Sequence, residues 1–163
     1  YGSWCKHSNF EMDANAPLMI SVPWLDKNLK TNSLAEFVDI YPTLCDLAGL
    51  EKPSHLQGQS LVPVLKNPNA QVNEVAISQY PRGKGLGYDR KSEIMGYSIR
   101  TENFRFTRWQ KYENPDEVVA YELYDHTNSK TATKNLADDK KYAQYVREFN
   151  ELMDKELAKY SDK

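Results

Sequence analysis

Hydrophobic and polar positions along this chain change rhythm near residue 74. Ahead of that point a polar opening, YGSWCKHSNFEMDAN, runs into one apolar stretch at 16–22. That stretch predicts a short buried strand stopped by Pro23, because proline cannot donate to a ladder. Residues 24–32 form a polar connector. In the following SLAEFVDIYPTLCDLAGL, Ser33 and Glu36 have capping-box spacing, but Pro42 argues against one long helix. A better parse takes 34–38 as extended and Asp39 as N-cap, which puts Pro42 in the first turn, where its missing N–H costs nothing. Leu44, Leu47 and Ala48 are then the expected buried face, and Gly49 the C-terminal stop. Residues 52–68 read as loop with a brief helix at 61–65.

From residue 74 the pattern alternates. Segments 74–80 (EVAISQY), 94–100 (IMGYSIR), 104–110 (FRFTRWQ) and 120–125 (AYELYD) carry β-branched and aromatic residues and predict four strands, with Thr101-Glu102-Asn103 as a tight hairpin connection. Residues 138–160 predict a helix, because Tyr142, Tyr145, Val146, Phe149, Leu152, Met153 and Leu157 recur at three- and four-residue steps. An antiparallel four-stranded sheet packed by the C-terminal helix is the economical architecture for this half. No internal repeat or low-complexity tract interrupts it.

The 163 residues suffice for a core. A formal net charge of −2 without a Lys/Arg block argues against a nucleic-acid partner. No apolar run approaches the roughly 20 residues of a membrane-spanning helix. The chain opens on Tyr-Gly-Ser-Trp without Met, which reads as the C-terminal part of something larger. Cys45 falls on the apolar side of a helical run and is expected to be a small core residue. Cys5, beside Lys6, is either a packing residue next to Trp4 or a thiol of lowered pKa, and a Cys5–Cys45 disulfide is not expected.

Two stretches concentrate candidate chemistry. The opening loop gathers Trp4, Lys6, His7, Ser8 and Asn9, side chains suited to gripping an anion, directly before the apolar run. The second is SQYPR (78–82) with the following GKGLGYDR, in which Gly83, Gly85 and Gly87 admit close backbone approach and Arg82, Lys84 and Arg90 supply positive charge. It lacks the glycine-lysine spacing of a phosphate-cradling P-loop. As a metal site, the Cys5-x-His7 pair lacks companions, since His55 and His126 lie far off.

VDIYPTLCDLAGL (38–50), LQGQSLVPVL (56–65) and ELYDH…NLAD (122–138), in that order, resemble the signatures of the type I sulfatases, members of the alkaline-phosphatase-like superfamily. WCKHSNF, SQYPR, MGYSIRT and NPDE further resemble the iduronate-2-sulfatase branch. The resemblance implies an α/β protein, the C-terminal part of an alkaline-phosphatase-like sulfatase fold. Residues 1–73 would be the last part of the large α/β domain and 74–163 the small C-terminal subdomain.

By that resemblance Lys6 is the catalytic residue that contacts the substrate sulfate, where a compact ammonium stabilises charge on the sulfuryl group. Trp4, His7, Tyr80 and Arg82 are the expected substrate-binding residues. For His7, hydrogen bonding to the sugar and shaping the loop stand as alternatives, while Ser8 and Asn9 are expected to brace the loop. Arg82 either reads a sugar carboxylate or neighbouring sulfate, as suits a planar guanidinium, or makes an ion pair between the subdomains. Arg100 and Arg108 alternate within strands and are expected to be structural.

The family's formylglycine arises from Cys in Cys-x-Pro-Ser-Arg, and neither cysteine here has that context. Ca²⁺ and formylglycine are therefore expected on a preceding N-terminal sulfatase chain or segment, and no metal ligand is expected in this one. The implied activity is hydrolysis of sulfate esters of a sulfated, uronic-acid-containing polysaccharide or oligosaccharide, in a secreted, periplasmic or lysosomal protein. Other readings are a phosphate or phosphonate ester hydrolase of the same superfamily, a non-catalytic sulfated-glycan-binding module, and a purely structural segment.

Overall fold

A computed structural model of the chain describes residues 7–25, 28–82, 93–129 and 131–161. They form two compact units. One holds the described residues up to Ala16 together with Ile77–Ala158, the other Pro17–Ala76 and the extreme C-terminus. The opening segment thus groups with the sheet.

In the first unit, β1 (Ala76–Arg82), β2 (Ile94–Arg100), β3 (Phe104–Lys111) and β4 (Val118–Asp125) make a four-stranded sheet in sequence order. β2–β3 and β3–β4 pair antiparallel, with Gly96 opposite Trp109, Ser98 opposite Thr107 and Phe106 opposite Leu123. A bulge between Trp109 and Gln110 shifts the outer register on β4. The ELYDH…NLAD stretch has a physical basis here. Asn135 accepts from Leu123 N–H (2.9 Å) and donates to the Tyr121 carbonyl (3.1 Å), and Leu136 N–H bonds the Leu123 carbonyl (2.9 Å), so the outer edge of β4 is paired rather than bare.

The terminal helix α4 (Ala143–Ser161) starts later than the expected residue 138, after a 3₁₀ turn at Lys140–Tyr142 that Asp139 caps through Lys141 N–H. It lies on the even-numbered face of β3. Phe104 stacks on Tyr145 at 5.0 Å, Phe106 meets Phe149 at 6.2 Å, and Arg108 bonds Asp154 (2.6 Å) and Asn150 (3.0 Å). Met153 is fully buried there.

One cover on the sheet would leave β3 alternating between buried and exposed, yet Arg105 through Gln110 are all buried. The second cover is the opening segment. A single helical turn, α1 (Glu11–Ala14), brings Glu11 onto the opposite face. There its Oε2 accepts from Arg100 Nε at 2.9 Å and from Arg105 Nε and Nη2 at 3.1 and 2.8 Å. Asn9, also buried, donates to the Gly96 carbonyl at 2.8 Å. Phe10 packs edge-on against Tyr124 at 5.7 Å.

In the second unit, the run at 16–22 is not a strand. It pairs with no ladder among the described residues, and Met19 is 90% exposed. An extended apolar segment becomes a strand only when neighbours accept its backbone bonds, and none does so here. Asp39 holds the expected N-cap position of α2 (Ile40–Ala48) as the last residue of a 3₁₀ turn (Phe37–Asp39), but its φ and ψ are helical and its side chain makes no capping bond to α2.

The fully buried Asp39 carboxylate accepts from Glu36 N–H (2.8 Å), Gln59 N–H (2.7 Å) and Asn73 Nδ2 (2.7 Å). The Asp39 carbonyl takes the Thr43 hydroxyl (2.6 Å), which in turn accepts from Leu61 N–H (2.8 Å). Gly58 lies so close to the chain that a Cβ there would fall 2.1 Å from the Val38 carbonyl oxygen. The two matching motifs, DIYPTL and GQSL, are thus the two sides of one hydrogen-bonded lock. Pro42, Thr43 and Cys45 are the buried face of α2, not Leu44, Leu47 and Ala48. Gly49 ends the helix at φ 66° as expected, and α3 (Val62–Lys66) follows.

Asp39→Ala strands three donors at once. Each buried unsatisfied group costs about 1–3 kcal/mol, so the variant is expected to lose roughly 3 kcal/mol or more in urea unfolding. A change within about 0.5 kcal/mol of wild type would refute the lock.

Candidate functional site

The alternation of β1 places Tyr80 and Arg82 on one side of the strand, two residues apart. That side is the one the opening segment covers. The His7 ring lies 6.0 Å from the Tyr80 ring, and the Arg82 guanidinium sits over the Trp109 ring at 4.2 Å, with Phe10 at 5.9 Å. His7, Tyr80 and Arg82, expected from sequence, are therefore brought together. Lys6 and Trp4 lie outside the described residues, as do Cys5 and the glycine-rich loop with Lys84 and Arg90.

The segment behind His7 is braced as its polar residues suggested. Asp13 Oδ2 accepts the His7 N–H at 3.1 Å and the Ser8 hydroxyl, and Ser8 Oγ accepts the Phe10 N–H at 3.2 Å. With Asn9 on the Gly96 carbonyl, a knot of short-range bonds sets where the chain enters the sheet face, one residue after Lys6. Arg82 makes no ion pair among the described residues. Arg100 and Arg108 are both consumed by structural carboxylates.

Trp109 was not visible as a site residue in the sequence. Its signal was Gly96, its partner in register. A Cβ at Gly96 would meet the indole at 2.4–2.7 Å, so only glycine lets that ring lie across β2. Cys45 is buried and free. His126 is buried, with Nδ1 3.0 Å from the Ser129 carbonyl. No group of three or more His, Cys, Asp or Glu side chains among the described residues is placed to hold a metal ion.

Charge under the site is set by Glu11. Burial pushes its carboxyl up. The hydrogen bond and charge of Arg105, then those of Arg100, outweigh burial and hold it below the usual glutamate value. The Arg105 guanidinium is shifted down, chiefly by burial, with Glu11 opposing. A carboxyl whose pKa is depressed in the folded state stabilises above the unfolded value, about 4.3, and that contribution is lost as pH falls through the folded pKa. Wild type should lose stability in acid from about pH 4.3 downward. Glu11→Gln should be less stable at pH 7 by roughly 3–5 kcal/mol, since it leaves two guanidinium groups uncompensated, and should lack this acid limb. Chemical denaturation at a series of pH values checks both, and an equally steep acid limb in Glu11→Gln would contradict the assignment.

Comparison with known proteins agrees with this architecture. Residues 1–159 match the family model described as N-sulphoglucosamine sulphohydrolase, C-terminal. The chain is 28% identical to iduronate 2-sulfatase of Mus musculus over 200 residues, spanning 87% of this chain and 36% of that protein. It is 30% identical to an N-acetylglucosamine-6-O-sulfatase of Bacteroides thetaiotaomicron over 167 residues, spanning 99% of this chain and 28% of that one. A solved protein in complex with its substrate D-glucosamine-2-N,6-O-disulfate superposes with a TM-score of 0.60 at 27% identity, over 76% of this chain and 24% of the other. The chain thus spans well under half the length of these relatives. A match running through both units, together with a shared fold, makes the chain a member of the N-sulphoglucosamine sulphohydrolase C-terminal family, carrying the C-terminal part of the alkaline-phosphatase-like sulfatase fold.

Proposed function

We propose that this chain is the C-terminal segment of a sulfatase that hydrolyses sulfate esters of a sulfated, uronic-acid-containing glycan, in the manner of iduronate 2-sulfatase. The observation that carries the reading is the grouping of His7, Tyr80 and Arg82 on one sheet face, directly after Lys6, in a chain of this family. Lys6 contacts the substrate sulfate and stabilises the negative charge that its oxygens and the departing sugar alkoxide carry in the transition state. Trp4 and His7 border the sugar. Arg82, with Tyr80, reads the uronate carboxylate, for which a guanidinium offers a planar fork of N–H donors.

The nucleophile and metal are not assigned to this chain. Cys45 is buried in a Cys-Asp-Leu-Ala context. Ca²⁺ and formylglycine belong, in this reading, to a preceding segment, and supply the attacking oxygen and its charge neutralisation. Two features support such a partner. Phe37 in the 3₁₀ turn and Tyr41 and Leu44 on α2, at helical i, i+4, i+7 spacing, leave an apolar stripe more than half exposed. The run at 16–22 is apolar and has no ladder partner among the described residues. Both are what a core looks like from one side. In this reading the protein works in a secreted, periplasmic or lysosomal compartment.

A second reading has its own support, because two of the relatives are named for sulfated or N-acetylated glucosamine. The substrates separate them, since a glucosamine carries no carboxylate. In the sulfatase containing this segment, Lys6→Ala should lower kcat/KM by about 100-fold or more. Arg82→Ala should raise KM at least about tenfold for a uronate 2-sulfate disaccharide, the loss of one charge-assisted pair, while leaving glucosamine 6-sulfate hydrolysis near wild type. Steady-state kinetics on the two substrates decide. Preference for the glucosamine sulfate with no Arg82 effect would replace the uronate reading. Intact-mass analysis of native material that finds this chain folded and alone would remove the catalytic one.

A further inference from the structure

The geometry points to Trp109 as a positioning residue for Arg82: its indole, seated against Gly96, is the platform that holds the guanidinium ready for a carboxylate. The inference rests on the uronate reading above and adds a residue to it. The guanidinium carbon is 4.2 Å from the Trp109 ring, and no carboxylate among the described residues pairs with Arg82. A guanidinium held over a ring, with no hydrogen bond or ion pair to a described residue, keeps its N–H donors available to a ligand. An ion pair would have occupied them. The arrangement therefore removes rotamer freedom from a long side chain without spending the donors a ligand would use.

Trp109 is an expensive choice for a merely structural position. It is 5% exposed, and its indole N–H is buried without an acceptor among the described residues, a penalty that phenylalanine would not carry. The ring also demands a glycine across the ladder, because any Cβ at residue 96 overlaps its six-membered ring. Two local costs, a stranded donor and a strand-interior glycine, converge on one broad face under one cation. Of the aromatic side chains, tryptophan attracts a cation most strongly. The opening segment closes the arrangement, since the Gly96 carbonyl holds Asn9 and Phe10 lies 5.9 Å from the same guanidinium.

The test compares Trp109→Phe and Trp109→Leu in the full sulfatase that contains this segment, beside Arg82→Ala. Both fill much of the space, but only phenylalanine presents a π face. Expected is a KM for the uronate 2-sulfate disaccharide raised roughly five- to tenfold in Trp109→Leu, kept within about twofold of wild type in Trp109→Phe, with kcat and glucosamine 6-sulfate hydrolysis little changed in either. Gly96→Ala, which lifts the indole, should reproduce the leucine phenotype.

A readout independent of activity is the NMR shift of the Arg82 side chain in the same protein. Ring currents should move its resonances upfield in wild type and Trp109→Phe, and not in Trp109→Leu. If Arg82→Ala raises KM but Trp109→Leu does not, or if Phe and Leu behave alike, the positioning role is overturned while the uronate reading stands. If Arg82→Ala itself leaves the uronate KM unchanged, the uronate reading fails first.

Discussion

A carboxylate facing two guanidinium groups inside a protein is tolerated only where geometry repays the removal of three charges from water. Here Glu11 sets one oxygen within 2.8–3.1 Å of nitrogens from Arg100 and Arg105, and its other oxygen receives Asn15 at 3.0 Å. Ser98 takes the remaining edge of Arg105. Polar groups that would be ruinous alone are thereby satisfied, and the face they occupy can be dry. Without that contact this face of the β2–β3 pair would carry Arg100 and Arg105 toward solvent, and the opening segment would have little to hold it. The sheet would then have one cover, and Arg82 only a bare strand beneath it.

That dependence links packing to the proposed chemistry. The turn that carries Glu11 to the arginines also carries Phe10 toward Arg82 and His7 toward Tyr80. Asn9 completes the attachment on the backbone of Gly96, where the absent Cβ makes room for Trp109. One face of the sheet therefore does two jobs. At the hairpin end of β2 and β3 it is an electrostatic clamp, and further along the same two strands it is an aromatic floor with the Arg82 cation on it. The opposite face, against α4, is conventional: aromatic rings interleave there, and the Arg108–Asp154 pair closes the edge.

The motifs that mark the family are mostly not chemistry. Asp39, Gly58 and Thr43 knit three stretches of backbone, and Asn135 pairs the outer strand edge. Asp39, Thr43 and Asn135 satisfy backbone groups with side-chain oxygens, and Gly58 lets the chain approach closely enough for the lock to form. The outward stripe of Phe37, Tyr41 and Leu44 is the complement of this lock. α2 is apolar on two sides, and only one of them is buried by this chain.

Local pattern was enough for the elements. Period-two alternation located β2 to the residue and β3 to within one, Gly49 and Pro42 bounded α2, and the three- and four-residue recurrence from Tyr142 to Leu157 located α4. The family, and with it Lys6, His7, Tyr80 and Arg82 as candidates, was also legible, because motif residues are adjacent in the chain. What the sequence did not contain was the second cover on the sheet. Glu11 lies about ninety residues from its arginines, and an ion pair at that separation leaves no periodic trace. The same holds for Trp109, whose role depends on which strand residue stands opposite. The run at 16–22 failed as a strand for the converse reason. An apolar segment has strand propensity in itself, but a ladder exists only where tertiary structure brings a partner to it.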